Sequence, residues 1–129
     1  IPLYPMADES REYPSTRQFA DGYGLSSADS AFYDNAYAPD FKSLRHSALL
    51  AELAGLPPTV LVTASLDPLR DGGRAFAAKL AGAGVPVSYH EVKGQIHGFA
   101  TYRRGIPSAN GDLAQVMALA RTMLQGAAQ

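Results

Sequence analysis

Thr59-Val60-Leu61-Val62-Thr63-Ala64 is a β-branched run with no polar alternation. A strand with one wet face alternates apolar and polar residues, so this pattern predicts a strand buried on both faces, as in a parallel sheet. Ser65-Leu66-Asp67-Pro68 reads as the turn that ends it. Gly73 to Ala81 then sets Phe76, Ala77 and Leu80 on one helical face, closed by Gly82 and Gly84. Val85 to Val92 alternates Val85, Val87, Tyr89 and Glu91 with Pro86, Ser88, His90 and Val92, the pattern of a partly exposed strand nearer the sheet edge. Strand, helix and strand in this order form a βαβ unit, and the fold class is α/β with parallel strands and flanking helices.

Towards the C-terminus, a glycine-punctuated loop runs from Gly94 to about Asn110. Leu113, Val116, Met117, Ala120 and Leu124 then follow helical spacing, with Asn110 or Asp112 as the expected N-cap. The Gly126 to Gln129 tail is expected to fray. Towards the N-terminus, Ser47 to Ala54 predicts a helix with Leu49, Leu50 and Leu53 on one face, Gly55 as its C-cap and Pro57-Pro58 forbidding continuation. Residues 6–46 read as a cap-like, aromatic-rich insertion holding Tyr13, Phe19, Tyr23, Phe32, Tyr33, Tyr37 and Phe41. One short helix, Ala28 to Ala36, is expected within it, presenting Phe32 and Ala36 and capped by Ser27 or Asp29. Residues 1–5 (Ile-Pro-Leu-Tyr-Pro) resemble the end of a sheet strand, and 47–129 form a βαβα core, together one incomplete domain. The opening on a strand end without Met leads us to expect a piece of a longer polypeptide.

With 129 residues, 47% of them hydrophobic and 18% charged, the chain can bury a core and is not a disordered tract. Eleven Lys and Arg against twelve Asp and Glu leave no basic surplus to hold phosphates, so nucleic acid is not an expected partner. No apolar run approaches the roughly 18 residues that cross a bilayer, and no secretory leader pattern is present, so a cytoplasmic setting is expected over a secreted one. There is no cysteine, and the three histidines are scattered; no metal and no cofactor is expected.

Parallel neighbours send the loops after Ala64 and after Val92 from the same carboxyl edge of the sheet, about 5 Å apart if the strands are adjacent. Asp67 and His97 sit on those loops, and Gly94 and Gly98 let a tight loop carry the imidazole over the edge. A carboxylate and an imidazole placed in this way are the pair that stands behind the nucleophile of a serine hydrolase. Taken singly, an Asp before Pro is ordinarily a turn former and a loop His is ordinarily solvated. Asp71 is better placed than Asp67 to cap the helix near Gly73, which leaves Asp67 without an evident structural task. His46 and His90 read as structural or solvent-facing.

Leu56-Pro57-Pro58, Asp67-Pro68-Leu69-Arg70-Asp71, Ala83-Gly84-Val85-Pro86-Val87 and His97-Gly98-Phe99, in this order and spacing, resemble the C-terminal half of the hormone-sensitive-lipase-like (bacterial family IV) α/β-hydrolase esterases. The likeness extends from Leu3-Tyr4-Pro5 through Phe19-Ala20-Asp21-Gly22-Tyr23 to the last helix. It implies a carboxylic ester hydrolase in which Asp67 is the triad acid and His97 the general base. By the same likeness residues 6–46 are the cap, and the substrate is a small apolar ester. Leu69, Ile96 and Phe99 flank the acid and base in sequence and are expected to line an apolar pocket, while the Tyr and Phe side chains of the cap are expected mostly to pack. No Gly-x-Ser-x-Gly and no His-Gly-Gly occur, so the nucleophile and oxyanion donors are expected on a missing N-terminal half. Gly72, where the family usually has Glu, and Ala48, where Pro is common, are further departures.

The chain alone is therefore expected to be inactive, and to bind that other half, self-associate as a homo-oligomer or aggregate. Two rivals differ in class. One is a non-catalytic, ligand-binding protein on the same fold. The other is a small α/β regulatory domain with Asp67 as a phosphoacceptor or metal-binding carboxylate.

Overall fold

The structure is a computed structural model that describes residues 1–38, 40, 43, 44 and 46–127. Its elements are α1 (Pro14–Gln18), α2 (Ser27–Tyr37), a single 3-10 turn (Ala48–Leu50), β1 (Thr59–Leu66), α3 (Arg70–Gly82), β2 (Val87–Ile96) and α4 (Ala109–Ala127). β1 and β2 are parallel, in register from Thr59 opposite Val87 to Ala64 opposite Val92, with an irregularity before Leu66 meets Ile96. On the other edge of β1, Leu3 makes a single parallel bridge to Val62, whose carbonyl accepts from the Tyr4 amide at 2.7 Å and whose amide donates to the Pro2 carbonyl.

The β-branched run behaves as its composition dictates. Val60, Val62 and Ala64 point to one face and join Val92, Phe99, Ala109, Val116 and Ala120 in a core covered by α4. Leu61 points to the other and packs with Leu53, Ala77, Leu80 and Val85 under α3. Fully burying an aliphatic side chain is worth about 1.5–3 kcal/mol, so this strand is the main apolar anchor of the sheet. The result is an α/β arrangement of parallel strands with helices on both faces.

Several expectations need correction. Ser47–Ala54 is not a helix: only Ala48–Leu50 turn, Ala51 is already extended (φ −80°, ψ 156°), and Gly55 has no helix to cap. The Lys79 ammonium donates to the carbonyls of Leu49 and Ala51, both at 2.7 Å, supplying the partners that helical amides would otherwise provide. Leu53 is buried against α3 while Leu50 is exposed, so the leucines do not share a face. α3 begins one turn earlier than Gly73, and Gly94 lies within β2 rather than in a loop after it. In α4, Asn110 and Asp112 fall inside the first turn and not at a cap. Met117 and Leu124 are exposed, the buried stripe running instead through Ala109, Val116 and Ala120, with Leu113, Leu119 and Met123 beside it. The helix continues to Ala127; the last two residues of the tail, like Phe41, lie outside the described residues.

Before β1, α1 was not foreseen. α2 exceeds the expected helix by one residue at each end, and its N-cap is Ser26, paired with Asp29 in a capping box, rather than Ser27 or Asp29 itself. None of its residues is buried, and Phe32, Tyr33 and Tyr37 are exposed where packing was expected. Beside the buried Ala7, Phe19 and Leu25, the segment is tied by polar contacts. The Arg11 guanidinium donates to both oxygens of Asp34 (2.9 and 2.7 Å) and to Glu9, and His46 Nε2 lies 3.0 Å from Glu9 Oε1.

Candidate active site

Asp67 closes β1 and is buried, its side chain 1% exposed; His97 follows β2 directly, its side chain 21% exposed. His97 Nδ1 and Asp67 Oδ2 are 2.9 Å apart. An ionised carboxylate can only accept, so with a neutral ring in this arrangement Nδ1 donates and Nε2 carries the lone pair that can take a proton. Residues 30 positions apart thus meet because parallel neighbours deliver their loops to one edge.

Asp67 also has a structural task, contrary to expectation. Its Oδ1 accepts from the Leu69 amide at 2.8 Å, the local bond by which an Asp forms a turn, so the turn-forming and the His-orienting readings hold together, one oxygen for each. Asp71 is not the cap of α3. It lies in the first turn, where its carboxylate accepts from the Ser15 amide (3.0 Å), Arg70 Nε (2.8 Å) and Arg74 Nη1 (3.1 Å). Burial pushes this carboxyl up, but the hydrogen bonds from Arg70 and Ser15 and the charges of Arg70 and Arg74 outweigh it and hold it below the usual carboxylate range. Ser15, wholly buried in α1, donates its hydroxyl to the Pro68 carbonyl at 2.9 Å. The turn carrying Asp67 is therefore pinned from outside by the segment that precedes β1.

The loop carrying His97 is pinned by the same segment. The His97 amide donates to the Tyr23 carbonyl at 3.0 Å, and Gly24 lies so close that an added Cβ would stand 2.4 Å from the His97 carbonyl oxygen. Gly24 has φ +85°, a conformation that glycine adopts without strain. From below, the buried Gln95 amide donates to Ser108 Oγ (2.7 Å) and to Asp112 Oδ2, tying the end of β2 to α4. The Tyr4 ring packs at 4.8 Å from the imidazole and 5.7 Å from Phe99, both edge to face. Tyr4 holds φ +38°, a left-handed conformation that costs a side-chain-bearing residue roughly 1–2 kcal/mol.

His97 opens on a cleft of about 380 Å³ walled by Tyr4, Leu25, Asp29, Tyr33, Thr101 and Tyr102. Asp29 is held below the usual carboxylate range by the side-chain and backbone hydrogen bonds of Ser26, so this wall carries a negative charge. The three residues expected to line an apolar pocket are not among the walls of this cleft. Phe99 has no exposed surface and belongs to the core under α4, so it lines nothing. Leu69 borders separate clefts with Thr16 and Arg11, and Ile96 is half-buried beside Gly24. For Phe99, adjacency in sequence does not carry over to the cleft, because its ring is buried in the core. Among the true walls, Asp29 and Tyr33 share one face of α2 by their i,i+4 spacing, a signal the sequence carried; Tyr4 and Tyr102 offered none. His46 stacks on Tyr37, and His90 lies in β2 opposite Val62. Among the described residues no group of three His, Asp or Glu side chains is placed to hold a metal ion.

The model of the α/β-hydrolase fold family matches residues 1–101. The chain belongs to the α/β-hydrolase fold family. Esterase LipI of Mycobacterium tuberculosis is 31% identical over 128 residues, covering 95% of this hydrolase-fold chain and 40% of the relative. Lipase 2 of a Moraxella species is 36% identical over 103 residues, which are 77% of the chain and 24% of that protein. Among solved structures, the ester hydrolase EH1AB1 from the metagenome of Lake Arreo superposes with a TM-score of 0.84 at 41% identity, covering 91% of the chain and 39% of its own. The chain is thus a homologue of α/β-hydrolase esterases and lipases that spans about two fifths or less of their length. Family membership replaces the reading as a regulatory domain. No helix among the described residues is long and apolar enough to cross a membrane.

Proposed function

We propose that this chain is the C-terminal half of a hormone-sensitive-lipase-like serine carboxylic ester hydrolase, in which His97 is the general base and Asp67 its orienting acid. The observation that carries this reading is the 2.9 Å contact between His97 Nδ1 and Asp67 Oδ2 at the carboxyl edge of a parallel sheet, on a ring that lines a cleft. The nucleophilic serine and the oxyanion donors come from an N-terminal half, the partner of this one, and residues 6–46 serve as a cap over the site. His97 Nε2 takes the proton of the serine hydroxyl as its oxygen attacks the ester carbonyl, and Asp67, still ionised, stabilises the imidazolium. The same proton passes to the departing alcohol, leaving an acyl-enzyme, and water repeats the sequence to release the acid. The substrate is a small ester, and the cleft beside His97 receives part of it.

The test is turnover of short-chain p-nitrophenyl esters by the complete polypeptide that contains residues 1–129. His97→Ala is expected to lower kcat by roughly 10⁴-fold or more, and residues 1–129 alone to show no turnover above buffer. A folded His97→Ala variant that retains activity refutes the role of His97. Ester binding without turnover by the complete polypeptide favours a ligand-binding protein instead.

A further inference from the structure

We propose that Tyr4 is a positioning residue for His97, its ring setting the plane of the imidazole. The proposal rests on the reading of His97 as general base and goes beyond it, since the Asp67–His97 pair explains only part of the geometry. One hydrogen bond through Nδ1 fixes the distance to the carboxylate but leaves the ring able to roll about that contact, and a roll swings Nε2 away from any hydroxyl it must serve. A proton transfer needs its partners held at hydrogen-bond distance and aligned. The Tyr4 ring stands against the imidazole with centroids 4.8 Å apart and planes at 61°, a preferred arrangement for paired rings and a block to rolling. It is itself braced from behind by the buried Phe99 ring at 5.7 Å and 68°.

The backbone shows that this ring is held in place at a cost. Tyr4 has φ +38°, where glycine or asparagine is the expected occupant. Its amide is tied to the Val62 carbonyl at 2.7 Å, and Pro5 after it disfavours a return to the right-handed helical region. Strain of this kind persists only where surrounding structure over-determines it, and here it delivers an aromatic ring to the imidazole and to the cleft wall. Tyr4 packs on the core beneath α4, and from there its ring reaches the imidazole and the cleft wall.

The test uses the complete polypeptide with Tyr4→Phe, Tyr4→Leu and Tyr4→Asn, reading kcat, KM and the nitrogen NMR shifts of the His97 imidazole, which report how firmly the proton stays on Nδ1. Asparagine tolerates the left-handed backbone and removes the ring, so it separates ring from strain. Tyr4→Phe keeps the ring and is expected to keep the Nδ1 signature and more of kcat than either ringless variant. Tyr4→Leu and Tyr4→Asn are expected to lose up to roughly 10²-fold in kcat, with KM little changed and the Nδ1 signature weakened. If Tyr4→Asn keeps both kcat and the signature, the proposal is overturned. It is overturned equally if Tyr4→Phe falls with the others, or if neither ringless variant folds, for then the phenol oxygen or the fold needs the residue. Should the wild type hydrolyse no ester, the functional reading fails, and the imidazole shifts still decide what Tyr4 does.

Discussion

β1 covers Val60, Leu61, Val62 and Ala64 on both faces, whereas α2, three residues longer, buries none of its own. The first is stabilised by removal of apolar surface from water, which is hard to undo locally. The second depends on a capping box, the two Arg11–Asp34 hydrogen bonds and the stacking of Tyr37 on His46. Each such polar tie nets only about 0.5–1.5 kcal/mol against water. Yet the segment containing α2 is the one that grips the proposed catalytic loops, through Tyr23 and Gly24 on His97 and through Ser15 on Pro68. The sheet sets where Asp67 and His97 emerge; the segment before β1 sets how tightly their loops are held. Regions of few buried apolar contacts open first, so α2, which buries none of its residues, is expected to open at lower cost than the sheet.

That contrast can be broken in order of effect. Leu61→Ala removes a fully buried side chain from the α3 face and is expected to cost about 2–5 kcal/mol in denaturant unfolding. A cost near that of a surface change would mean that the sheet is not the anchor. Gly24→Ala would set a Cβ 2.4 Å from the His97 carbonyl and force a positive φ on alanine; a loss of about 1 kcal/mol or more is expected, with a fall in kcat. Unchanged turnover would show that the grip on His97 is dispensable.

Tyr13 sharpens the comparison through pH. Burial, then the hydrogen bond to Asp8, then the charges of Asp8 and Asp71 push its phenol up to about 12 from an ordinary value of 10. Because the folded value is the higher one, this contribution to stability is complete below pH 10 and is lost as pH rises through about 12. Tyr13→Phe should remove that part of the alkaline slope, and tyrosinate absorbance follows it directly. Phe32→Ala, on the exposed face of α2, is expected to stay within about 0.5 kcal/mol of wild type in the same unfolding experiment. A larger loss would reveal apolar packing by α2 after all.

β1, α3, β2 and their parallel pairing were legible because a strand wet on neither face leaves an uninterrupted β-branched run, and a βαβ order then dictates which loops share an edge. That topology brings the loops bearing Asp67 and His97 to one edge when their strands are neighbours, as β1 and β2 are; the contact between the side chains is set by the fold. The leucines at 49, 50 and 53 misled for the opposite reason: their spacing suits a helix, but Lys79, thirty positions beyond Leu49, takes the carbonyls that a helix would use. Local pattern has no term for a partner so distant.

By itself, then, the amino-acid order determined the layered α/β architecture and the two loops that bear the carboxylate and the imidazole, since periodicity and strand direction are properties of neighbours along the chain. Only the folded molecule decided that Phe99 is core, that one Asp67 oxygen serves the turn and the other His97, and that Tyr4 and Gly24 close on the imidazole and its backbone. Apart from the local Asp67–Leu69 bond, the contacts to His97 join residues tens of positions apart, and their distances depend on how whole elements pack.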